Sequence, residues 1–145
     1  MSAQTPFELH PQLAADTHVA GDWPLSRVLL MNDAQFPWLI LVPRRLALRE
    51  IYELADADQQ QLWRESAALG RALMQLFSGD KLNIGALGNM VPQLHVHHIV
   101  RRTGDAAWPA PVWGRVAAQP YGERALAERL ALLRRRLAEL MPLAG

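Results

Sequence analysis

The chain of 145 residues contains no cysteine. That single absence removes disulfide cross-links, thiolate nucleophiles and thiolate metal sites from consideration. Lysine is nearly missing as well: Lys81 is the only one, and arginine carries the rest of the positive charge. We read this as the bias of an arginine-rich proteome rather than as anion recognition. The formal net charge is only +1, so electrostatics give no case for nucleic acid or a membrane surface as partner. No apolar run approaches the length of a membrane span. The N-terminal "MSAQTPFELHPQLAAD" has neither a basic start nor the apolar stretch of a leader. The expectation is a soluble, cytoplasmic protein with no nucleic-acid or membrane partner.

What is present is ordinary globular composition, half apolar and one fifth charged. A chain of this length is expected to form one domain, residues 1–145, with a core that needs no metal or disulfide. The segments "SRVLLMN" (26–32) and "PWLILVP" (37–43) are apolar and β-branched, and the short polar "DAQF" joins them as a hairpin. Their continuous apolarity predicts strands buried on both faces. "THVAG" (17–21) is a candidate further strand.

Periodicity predicts a long helix from Asp56 to Phe77, with Asp56 as N-cap and Gln59 completing a capping box. Its apolar stripe comprises Leu62, Leu69, Leu73 and Leu76 with Trp63 and Phe77, so Trp63 is expected in the core. "KLNIGAL" (81–87) reads as a strand, and "GNMVP" (88–92) as a turn. "TGDAAWPAPVWG" (103–114) is rich in proline and glycine and is expected to be irregular. A second helix is predicted over residues 121–140, with Leu126, Leu130, Leu133, Leu137 and Leu140 on one side and Arg134, Arg135 and Arg136 solvated. Strands joined by tight turns imply an antiparallel sheet, hence an α+β fold.

The stretch that carries chemistry is "QLHVHHIVRR" (93–102), with three histidines in four positions. In a strand Gln93, His95 and His97 would share one face, and Leu94, Val96 and His98 the other. Three readings of that row compete. The histidines could be satisfied core residues. They could ligate a metal, although no further histidine or carboxylate lies at a suggestive spacing. Or one is a nucleophile, since a neutral imidazole attacks phosphorus well near neutral pH and leaves as readily once protonated. The third reading is preferred. His98 is read as structural, Arg101 as a solvated strand end, and Trp108 and Trp113 as core residues.

The row "QLHVHHI" (93–99) resembles the signature of the histidine triad (HIT) family, His-φ-His-φ-His-φ-φ with φ apolar. "LLMNDAQFPWLILVPRR" (29–45), the long helix, "KLNIGALGNMV" (81–91) and "AWPAP" (107–111) are similar to the family's elements in the same order, over about residues 17–113. The resemblance implies a HIT-like antiparallel sheet of about five strands backed by the long helix, with an additional helix at 120–141. It implies a nucleotide hydrolase or nucleotidyl transferase acting at an α-phosphate, of the dinucleoside polyphosphate or phosphoramidate/adenylate type. His95 matches the nucleophile, His97 a phosphate donor, and Gln93 the position of the first triad histidine. Asn83 and Asn89 match residues that reach the phosphates, and Asn32 the residue that binds the ribose. No metal or cofactor is implied, the partner is a nucleotide or dinucleotide, and a homodimer is expected.

Two departures stand out. Gln93 replaces a histidine, which is expected to tune rather than abolish activity. Met90 stands where the family often has a hydroxyl that serves the leaving group, so acidic leaving groups are favoured. The same feature supports a rival reading, a nucleotide-binding module without turnover; a metal-dependent phosphohydrolase is a third.

Overall fold

The computed structural model describes residues 7–145. A short helix α1 (Pro11–Asp16) leads into β1 (Thr17–Asp22), β2 (Ser26–Met31) and β3 (Trp38–Pro43). A 3-10 turn (Ile51–Glu53) and helix α2 (Asp56–Phe77) follow, then β4 (Lys81–Gly85), β5 (Val96–Arg101) and α3 (Glu123–Leu140). The five strands form one antiparallel sheet in the order β1-β2-β3-β5-β4. This is the α+β, HIT-like arrangement expected from the sequence.

Burial explains the strand sequences. Every residue of β3 and β5 is buried. The unbroken apolar run of β3 predicts this for a central strand covered on both faces, whereas β5 is buried although it carries His97, His98 and Arg101. The two edge strands, β1 and β4, alternate or open to solvent. On one face Val28, Leu30, Leu39, Leu41, Val96 and Val100 meet Leu62, Leu69 and Leu73 of α2 and Leu133 and Leu137 of α3. The other face carries Leu29, Trp38, Ile40, Val42 and Ile99, covered by Leu13, Phe36, Val91, Ala107 and Val112.

Helix α2 has the expected bounds but not the expected start. Ala55 is its cap residue and forms no side-chain capping bond; Asp56 is the first helical residue. There its carboxylate sits at the positive end of the helix dipole instead of capping it. The reciprocal capping box lies upstream, between Glu50 and Glu53 of the 3-10 turn. Trp63 is a second correction, since it is 63% exposed. It lies one residue, about 100°, round the helix from Leu62, which takes it to the margin of a stripe centred on Leu62, Leu69 and Leu73. Between them Glu65 is fully buried, accepting the Leu25 and Ser26 backbone N–H groups at 2.8 and 3.1 Å. A carboxylate thus ties α2 to the start of β2. Arg134, exposed as expected, also bonds the Val19 and Ala20 carbonyls and docks α3 on β1.

Candidate functional site

Strand β5 begins only at Val96, so Gln93–His95, with a bend at Gln93, precedes the ladder. The alternation nevertheless holds. Val96, His98 and Val100 face α2, whereas His95, His97 and Arg101 face the opposite side, where His97 meets the Trp38 and Trp113 rings. His95 and His97 stand with ring centroids 4.9 Å apart and planes at 69°.

The protons of the three imidazoles follow from their partners. His95 Nδ1 lies 2.7 Å from the Gln93 carbonyl oxygen. A carbonyl only accepts, so Nδ1 carries the proton and Nε2 holds a free lone pair. His97 is set the other way: the Trp38 indole N–H donates to its Nδ1 at 2.9 Å. Indole only donates, so the His97 proton sits on Nε2. Burial pushes the His97 imidazole down to about 3, and the neighbouring His95 and His98 push in the same direction. Hence His97 is a neutral N–H donor across the physiological range. The pair offers a nucleophilic nitrogen beside a hydrogen-bond donor, which is what in-line attack on phosphorus requires.

His98 turns to the helix side as expected. Its Nδ1 lies 3.1 Å from the Val96 carbonyl and its Nε2 2.7 Å from the Ser66 hydroxyl, so the ring accepts from Ser66. Burial lowers its pKa to about 4. It is a satisfied core histidine.

A cleft of about 340 Å³ opens on His95, with Arg49 and Tyr52 on one side and Gly88, Pro92 and Gln93 on the other. Gly88 adopts φ +75°, a conformation that glycine takes without strain, and this bends the 86–92 loop round the cleft. Met90 on that loop is 94% exposed, and Asn89 beside it is also exposed. Gln93 contributes its backbone carbonyl to His95, while its side chain bonds elsewhere. Its Oε1 accepts from the His10 N–H at 2.8 Å and its Nε2 donates to the Glu8 carbonyl at 2.9 Å. The amide therefore latches the N-terminal segment beside the site.

Asn83 on β4 faces the same side as His97, and its Oδ1 accepts from Arg101 at 3.0 Å. Asn32 follows β2 in the turn towards β3, and its Oδ1 accepts the Tyr121 N–H at 3.0 Å. The structure thus brings His95, Gln93, Gly88 and Pro92 together round one cleft, with His97 and Asn83 on the adjoining sheet face and Asn89 outside the cleft lining on the exposed part of the loop. Asn32 lies just past the end of β2 and does not line that cleft. Arg101 is 2% exposed, contrary to the solvated reading. Trp38 was not singled out by sequence, because its bond to His97 exists only once β3 and β5 pair. Trp113 packs against His97 with centroids 5.3 Å apart and closes over Gly85. Among the described residues no three His, Asp or Glu side chains gather as a metal site.

The comparisons agree with this geometry. A model of the HIT domain matches residues 12–104. A histidine triad protein from Marinobacter aquaeolei VT8 is 56% identical over 93% of this chain and 98% of its own, with a TM-score of 0.91. One from Bradyrhizobium japonicum is 50% identical, covering 90% and 98%, with a TM-score of 0.88. A HIT protein from Sinorhizobium meliloti 1021 is 41% identical over 96% and 100%, at 0.86. No curated protein sequence matches. With its histidine row, its sheet and relatives of this identity, the chain belongs to the histidine triad (HIT) domain family.

Proposed function

We propose that the protein is a nucleotide hydrolase or nucleotidyl transferase that works through a covalent nucleotidyl-His95 intermediate. The observation that carries this reading is the His95 tautomer: Nδ1–H is spent on the Gln93 carbonyl, so Nε2 is left as a lone pair. In the first step Nε2 bonds to the α-phosphorus, and the bond to the leaving-group oxygen or nitrogen breaks with its electron pair. The His97 Nε2–H, with the amides of Asn83 and Asn89, would hydrogen-bond the non-bridging oxygens as charge gathers there. Water then attacks phosphorus and gives up a proton to solvent, the P–N bond breaks with its electron pair going to Nε2, and the nucleotide leaves with the new P–OH. Asn32 would hold the ribose.

Exposed Met90 offers no proton to a leaving group. This favours substrates whose second half departs as a stable anion, such as dinucleoside polyphosphates or adenylates. The same residue favours, as second reading, a module that binds nucleotides without turnover. A fluorogenic adenylate decides between them. Turnover, with a nucleotidyl adduct on His95 by mass spectrometry and loss of both in His95→Ala, supports the enzyme. Tight AMP binding without adduct or turnover supports the module. A rate abolished by exhaustive chelation would instead indicate metal-dependent hydrolysis.

We also propose that the protein is a homodimer. Strand β4 is a sheet edge, and Trp63, Ile84 and Leu87 around it are 63%, 48% and 48% exposed. An uncovered edge flanked by apolar side chains invites pairing with a second copy. Sedimentation should show a dimer that Trp63→Asp weakens; a monomer at all concentrations overturns this.

A further inference from the structure

Arg101, the last residue of β5, is enclosed to 2% exposure. A buried guanidinium is costly unless its donors are met. Here Asp105 takes two of them, Nε at 2.8 Å and Nη2 at 2.9 Å, in the bidentate fork. The same carboxylate accepts the backbone N–H groups of Arg102, Ala107 and Trp108. The Arg101 bond, chief among these, holds the Asp105 carboxyl down at about 2. The rings of Phe36 and Trp108 lie 5.8 and 5.7 Å from the cation. Nothing in this arrangement is free to turn.

The remaining nitrogen, Nη1, bonds Asn83 Oδ1 at 3.0 Å. Arginine has no acceptor, so the atom facing it is the carboxamide oxygen, and the Asn83 NH2 is directed away from the arginine. The ladder pairs Asn83 with Ile99 and Gly85 with His97. Asn83 is therefore one diagonal step from His97 on the site face, about 7–8 Å. Arg101 and Asp105 neutralise each other, so their effect at that distance is one of orientation.

We propose that Arg101 is a positioning residue: braced by Asp105, it fixes the Asn83 carboxamide so that its NH2 is presented to a phosphate oxygen bound beside His97. Arg101 acts on the reaction through Asn83 and does not touch the substrate. This rests on the nucleotide reading of the site.

A double-mutant cycle tests it, with kcat/KM on a fluorogenic adenylate for wild type, Arg101→Gln, Asn83→Ala and the double variant. Each single change should lose on the order of tenfold to hundredfold, as misplacement of a contacting group does. The double variant should be no worse than Asn83→Ala alone. Losses that multiply would overturn the proposal, because a general structural defect is indifferent to residue 83. Asn83→Asp covers the case in which Arg101→Gln fails to fold. It keeps the Arg101 bond and turns an oxygen towards the phosphate, so it should lose at least as much as Asn83→Ala; wild-type rate would overturn the idea. If wild type shows no His95-dependent turnover, the nucleotidyl-transfer reading fails separately. The cycle is then read in AMP affinity by calorimetry, where coupling supports the Arg101–Asn83 relay and additivity refutes it.

Discussion

The Trp38 indole N–H donates to His97 Nδ1 across 2.9 Å, joining residues 59 apart in sequence. Because indole never accepts, the bond survives only while His97 is neutral with its proton on Nε2. Trp38→Phe removes the donor and frees both tautomers. We expect kcat to fall on the order of tenfold to hundredfold, since half-oriented donors lose much of their transition-state stabilisation. Nitrogen-15 shifts of the His97 ring should change from one protonated nitrogen to a mixture. An unchanged tautomer in Trp38→Phe would mean that the ring is held by other contacts.

His97 and His98 also make a prediction about acid stability. Both stay neutral in the fold, with pKa values lowered from 6.5 to about 3 and about 4. The unfolded chain binds a proton at each site below pH 6.5 while the native protein does not. Stability contributed by the neutral rings is therefore full above that pH and falls as pH drops towards the folded values. Each histidine contributes a slope of about 1.4 kcal/mol per pH unit in that window. Urea unfolding between pH 7 and 5 should show it, and His98→Leu with Ser66→Ala should reduce the slope while leaving activity intact. A slope insensitive to that double change would place the acid lability elsewhere.

How legible these features were depends on their range. Strands β2 and β3 and helix α2 follow from local apolar pattern, and the face assignment of His95, His97 and His98 follows from strand alternation alone. Trp38, Arg101 and Glu65 do not. Each is a polar atom whose partner lies on another element, so its role appears only when the sheet register and the helix face are fixed. Arg101 looks like a solvated strand end until Phe36 and Trp108 cover it. Gln93 shows the same limit: its place in the histidine row was readable, but the turn of its side chain to Glu8 and His10 was not. Trp63 erred in the opposite direction, because apolarity alone does not tell the centre of a helical stripe from its margin.

Glu65 is the sharpest test of the helix–sheet join. Its carboxylate satisfies two buried N–H groups at the start of β2, at 2.8 and 3.1 Å. Glu65→Ala leaves both without a partner and should cost about 3 kcal/mol in urea unfolding. Glu65→Gln retains one acceptor oxygen and should lose less. A loss below about 1 kcal/mol for the alanine variant would mean that water or a shift of the turn replaces the carboxylate.

Met90 separates the chemistry of the two halves of the substrate. Its side chain is 94% exposed on the loop beside the His95 cleft, so replacing it should disturb the core little. A hydroxyl at this position could give a proton or hydrogen bond to a departing amine or alkoxide, whereas an anionic leaving group needs neither. Met90→Ser should therefore raise kcat on a nucleoside phosphoramidate by about tenfold or more, within the range of general acid assistance. It should change the rate on an adenylate or a dinucleoside polyphosphate little. Equal gains on both classes would show that residue 90 affects binding of the nucleotide half. No gain on either would mean that a different group serves the leaving atom.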